Sequence, residues 1–117
     1  MIEETELEKA GIDVEKGMLY TQGDKEAYES FLKTFYDDQT YQKMLACIEK
    51  KDTENAYLHA CSLCGSSSYL GMNSLHDSLY QLMDEMRSGT FKQSALVVNE
   101  VKDRYNAIMK VLKDVLK

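Results

Sequence analysis

The sequence predicts an all-α chain folded as an antiparallel four-helix bundle with a short N-terminal helical lead-in, and three observations predict it. None of the 117 residues is proline, the residue that costs about 3 kcal/mol inside a helix. Apolar residues recur at three- and four-residue spacing in four successive segments, the period of an amphipathic helix. The connections between those segments are short and polar or contain glycine, as they are between antiparallel neighbours in a bundle.

The elements follow in order. Residues 1–23 read as the lead-in, a frayed start followed by a short turn of helix around Asp13–Tyr20; residues 24–117 read as the single bundle domain. Asp24 is placed to cap the first long segment, with Glu26 and Glu29 near its positive end. Its stripe runs through Ala27, Phe31, Phe35, Leu45 and Ile48, widened by Leu32, Tyr41 and Met44. The polar stretch Asp37-Asp38-Gln39-Thr40 interrupts it, so 24–50 is one bent helix or two short ones. Asp52 or Thr53 caps the next helix, whose seam is Ala56, Ala60, Leu63, Ser67 and Leu70, closed by Gly71. Asn73 or Ser74 opens the third segment, with Leu75, Leu79, Leu82 and Met86 as its seam and Ser88-Gly89 as its end. The last stripe is the longest: Phe91, Ala95, Val98, Val101, Tyr105, Ile108, Leu112 and Val115.

Composition narrows the function. The hydrophobic fraction is 44%, enough for one modest core and too high for a disordered chain. A formal net charge of −6 disfavours a nucleic-acid binder, because phosphate contacts need clustered Lys and Arg. No stretch approaches the ~20 apolar residues of a membrane span. The acidic start lacks the basic and apolar blocks of a signal peptide, and three cysteines argue against a disulfide framework. A monomeric cytoplasmic domain is expected.

The helix after Asp52 is unusual on its outer side. With Cys61 as zero and about 100° per residue, Tyr57, Leu58, Cys64, Gly65 and Ser68 fall within about 60° of it, while the apolar seam is centred about 140° away. One face therefore buries while the other presents Cys, Cys, Gly and Ser. A glycine inside a helix costs about 1 kcal/mol relative to alanine. Either Gly65 packs under a loop or has drifted there neutrally, or it leaves room for another molecule to come close.

Ala60-Cys61-Ser62-Leu63-Cys64-Gly65-Ser66-Ser67-Ser68-Tyr69-Leu70-Gly71 resembles the signature A-H-x-L-K-G-S-S-x-x-L-G of histidine phosphotransfer (HPt) domains. Asp52, Leu75, the run Ala10-Gly11-Ile12-Asp13 and Gly17 also sit where such domains often have them, so the resemblance covers about Ala10 to Gly89. It implies a four-helix bundle in two-component phosphorelay signalling. The family's phosphoaccepting histidine falls on Cys61 and its lysine on Cys64. Nucleophile and positive charge are both gone, as in a degenerate member of the family. The resemblance then implies a binding protein rather than an enzyme. Its docking face (Tyr57, Leu58, Cys61, Cys64, Gly65 and Ser68) would meet the receiver domain of a response regulator, or a sensor kinase.

Two other readings are carried alongside. One is an active phosphotransfer protein with a non-standard acceptor, His59 or Cys61. His59 stands about 160° from Cys61 around the helix, however, and reads as packed beside Ala56 and Leu63. The other is a thiol-redox or metal protein built on the C-x-x-C of Cys61 and Cys64. Redox motifs of that kind open a helix after a strand, whereas this one lies well inside a helix. Zinc needs four ligands, and Cys47 and His59 are poorly placed to complete a set, so neither metal nor cofactor is expected. His76 reads as structural or surface, with Asp77 a weak orienting partner. The acidic pairs Glu3-Glu4, Asp37-Asp38 and Asp84-Glu85 read as solvated faces.

Overall fold

The computed structural model describes residues 4–89, 91 and 96–116. The described residues form seven helices and no strand: α1 (Glu4–Lys9), α2 (Val14–Tyr20), α3 (Lys25–Asp37), α4 (Thr40–Glu49), α5 (Thr53–Tyr69), α6 (Asn73–Ser88) and α7 (Leu96–Val115). None is long and apolar enough to cross a membrane.

Capping sets several of the boundaries. The carboxylates of Asp13, Asp24 and Asp52 accept from the backbone N–H groups of Lys16, Ala27 and Asn55 at 3.0, 3.1 and 3.2 Å. Each meets a donor that the first helical turn leaves unsatisfied. Gly71 and Gly89 stand just past α5 and α6 at φ +81° and +77°, the left-handed conformation that glycine takes without a Cβ penalty. The polar stretch after α3 produces two helices: Asp38 turns extended (ψ 138°), and Thr40 Oγ1 donates to its carboxylate at 2.9 Å.

Two boundaries differ from expectation. Neither Asn73 nor Ser74 caps α6; Met72 holds that position with no side-chain bond. The Asn73 side chain is engaged elsewhere, its Oδ1 accepting from Lys16 Nζ at 2.9 Å. Where the sequence predicts a frayed start, residues 4–9 form a helix. Leu7, Ile12 and Val14 are buried in the same apolar cluster as Leu32, Leu63, Leu79 and Ile108, so α1 and the turn after it are anchored by burial. Ala95, expected in the last stripe, lies outside the described residues.

The packing places α5 between α4 and α6, with α6 against α7 and α7 returning to α3 and α1; α2 lies across α1, α3 and α5. The seam of α5 explains its central place. Ala56, Ala60, Leu63 and Ser67 are buried, and small side chains let neighbouring helices approach closely. The buried hydroxyls of Ser67 and Ser78 donate to carbonyl oxygens of their own helices, Cys64 and Leu75, each at 2.9 Å, so burying them leaves no donor unmet.

Candidate functional site

The outer side of α5 divides unevenly. Leu58 is 59% exposed, Gly65 is exposed, and Tyr57, Cys61 and Ser68 are half-buried. These five lie together on one accessible face. Cys64 does not belong with them: it is 7% exposed and part of the core. Its Sγ lies 4.0 Å from the His76 carbonyl oxygen, because α6 packs along that edge of α5. Burial pushes its thiol above the ordinary value, and the neighbouring Cys61 and Asp77 add to the shift. Position 64 therefore faces the α5–α6 contact, while position 61 stays within reach of solvent.

Gly65 stands in open space. Among the described residues, a Cβ built on it meets nothing within 4 Å, so none of their loops packs over it. Gly17 is the contrast, since a Cβ there would lie 2.5 Å from both the Leu70 carbonyl oxygen and the Tyr28 ring. Contacts among the described residues therefore require glycine at 17 and not at 65, where it costs about 1 kcal/mol of helix propensity.

Two flanking features were not legible as parts of the face. Toward the C-terminal end of α5, the ring of Tyr69 stacks on Tyr20 (centroids 4.7 Å) and meets Phe31 edge-on (6.1 Å), while Tyr20 and Phe31 are 6.2 Å apart. Tyr69 lies about 80° from Cys61 around the helix, a position that signals its side, but its partners come from α2 and α3. On α6, Tyr80 is 54% exposed; the Arg87 guanidinium lies 5.6 Å from its ring centroid and the His76 ring 6.4 Å. A third feature was there to be read: no Asp, Glu, Lys or Arg occurs from Asn55 to His76, in a chain that is 29% charged.

The histidines are placed apart from the centre of the face. His59 is half-buried and close enough to Asp52 to help hold that carboxyl below its usual range, after the side-chain and backbone hydrogen bonds from Asn55. His76 brings Nδ1 to 3.4 Å from Asp77 Oδ1. The three cysteines are free thiols. Among the described residues, no three His, Cys, Asp or Glu side chains are grouped so as to hold a metal ion.

What the face offers chemically is contact: an apolar side chain at Leu58, a cleared backbone at Gly65, aromatic rings at one end, and no formal charge on α5 between Asn55 and Tyr69. Uncharged, partly apolar surface of this kind forms the desolvated centre of protein interfaces. No protein-family model, no curated protein and no solved structure matches this chain.

Proposed function

We infer that the chain is an HPt-like four-helix module of two-component phosphorelay signalling that binds a partner without accepting phosphate at the family position. The partner is the receiver domain of a response regulator, or a sensor kinase. The module acts as a monomeric, cytoplasmic binding protein rather than an enzyme. The observation that carries this reading is Gly65: a glycine inside a helix, exposed, with open space where its Cβ would be. Among the described residues no contact accounts for it, whereas a partner approaching the α5 backbone would. The match of Ala60–Gly71 to the HPt signature supports the choice of partner, and Cys61 in place of the histidine supports binding without transfer. The face is Tyr57, Leu58, Cys61, Gly65 and Ser68, extended by Tyr69; Cys64 backs it from the core.

The test is titration of labelled protein with receiver domains from the same genome, followed by NMR. Saturable shifts centred on Leu58, Cys61 and Gly65, lost in Gly65→Leu, are expected. Shifts centred elsewhere, or a Gly65→Leu variant that binds as well as the parent, would sink the reading.

A further inference from the structure

A second surface lies near the start of the chain, on α1 and α2. Between α1 and α2 lies a groove of about 440 Å³ lined by Val14, Met18, Leu19 and Gly23, with Glu4, Glu8 and Glu15 around it. It continues into a hollow of about 380 Å³ that shares Glu8 and Glu15 and runs past Ile12 and Asp13 to Asn73. Leu19 is 74% exposed, a large apolar side chain turned to solvent at the groove's edge.

The charge around this apolar floor has one sign. Residues 1–23 carry six acidic side chains against Lys9 and Lys16, which is −4 of the chain's −6. Lys9 pairs with Glu6 (3.3 Å), away from the lining, and Lys16 is engaged with Asn73. Lys25 approaches Glu4 at 3.8 Å. No ion pair reaches Glu8 or Glu15 among the described residues. A cleft lined by one sign of charge over low-dielectric walls concentrates its field on whatever enters. Acidic segments and nucleic acid are repelled, and a purely apolar segment leaves the carboxylates unmatched. The complementary occupant carries apolar side chains for the floor and cations for the rim.

We propose that this groove docks a basic amphipathic segment of a partner protein, with an apolar side chain against Val14, Met18 and Leu19 and flanking lysines or arginines paired with Glu8 and Glu15. The site is separate from the α5 face and stands or falls independently of it.

The experiment uses the full chain with labelled methyl groups and a synthetic amphipathic leucine–lysine peptide, beside a leucine–glutamate peptide of the same pattern. Saturable shifts at Val14, Met18 and Leu19 are expected with the basic peptide alone, weakening as salt is raised. Reversing two rim charges in Glu8→Lys/Glu15→Lys should weaken binding about tenfold, the yield of two modest surface pairs. Glu6→Lys, off the lining, should change it less than about twofold. Leu19→Ser tests the floor without touching the charges and should also weaken binding. Binding of both peptides alike, a rim variant that binds as the parent does, or shifts centred on Leu58 and Gly65 would overturn the proposal. So would tighter binding after deletion of residues 1–3, which would make the chain's own start the occupant.

Discussion

The Tyr28 hydroxyl donates a 2.8 Å hydrogen bond to the Leu70 carbonyl oxygen, joining α3 to the end of the helix that carries the candidate site. Gly17 lies against the same carbonyl, and the Asp13 N–H donates to the Gly71 oxygen at 2.6 Å. Two segments that precede α5 by many residues, α2 with its cap and α3, thus meet at its C-terminal turn. There the Leu70 carbonyl receives the Tyr28 hydroxyl and the Gly71 oxygen accepts from both Asp13 and Asn73. Asp13 and Gly17 of the lead-in, with Tyr28 of α3, form a clamp on the α5–α6 turn.

Removing the clamp's parts should cost stability in a graded way. Tyr28→Phe deletes one buried donor and should lose about 1–2 kcal/mol. Gly17→Ala forces a methyl against backbone that cannot yield easily and should lose about 1–3 kcal/mol, despite alanine's better helix propensity. Urea denaturation followed by circular dichroism reads both; a Gly17→Ala variant as stable as the parent would show that the turn gives way.

Buried tyrosines make the fold sensitive to alkali. Burial pushes Tyr41 up to about 12, with Tyr105 and Asp103 adding, and raises Tyr28 and Tyr105 as well. In the unfolded chain tyrosine ionises near pH ~10, so above that pH the folded state holds more protons and stability falls. The loss is about 1.4 kcal/mol per pH unit for each such group until the folded value is reached. Cys64, raised in the same direction, adds a shallower decline starting near its unfolded value of ~8.5. Urea midpoints should therefore be level from pH ~6 to 8 and drop steeply above ~10. Constant stability between pH ~10 and 11 would contradict the burial of these phenols.

Much of this architecture was legible because local chemistry announces it. Asp24 and Asp52 cap helices, Gly71 and Gly89 end them, and Ala56, Ala60, Leu63 and Ser67 all bury as their spacing demands. What was not legible depends on tertiary neighbours. A single apolar residue, Leu7, gives α1 no period to detect. Cys64 sits at the border between the seam and the outer face, and only the side on which α6 packs decides that it is buried. The ring cluster of Tyr20, Phe31 and Tyr69 joins three elements, a contact that no spacing within one helix reveals.

Gly65 and Gly71 should respond oppositely to the same substitution. Gly65→Ala places a methyl where no described residue outside its own helix turn lies within 4 Å and should stabilise the fold by about 0.5–1 kcal/mol. Gly71→Ala puts a Cβ on a residue at φ +81° and against the Asp13 carbonyl oxygen; it should destabilise by about 1–3 kcal/mol. Thermal melts of the two variants read the contrast directly. A destabilising Gly65→Ala would mean the glycine has a structural role, and would remove the main support for the docking face.

The burial of Cys64 changes how the proposed HPt-like reading should be tested. If the face docks a receiver domain, Cys61→His returns an imidazole to a position within reach of solvent and should gain an acid-labile phosphoryl group from a phosphorylated receiver. The variant's imidazole nitrogen attacks phosphorus, the N–P bond forms, and the aspartyl carboxylate leaves. Adding Cys64→Lys to complete the family pattern should instead harm the protein. A lysine there must carry its ammonium out of the α5–α6 contact or bury it unpaired, at a cost of about 1–3 kcal/mol. Cys61→His alone is thus the cleaner test, read by mass spectrometry before and after acid treatment, with His59→Gln in the same background as control. Label that persists in that control belongs to position 61. Label that vanishes with His59→Gln belongs to His59 and would return the native chain to the class of active phosphotransfer proteins.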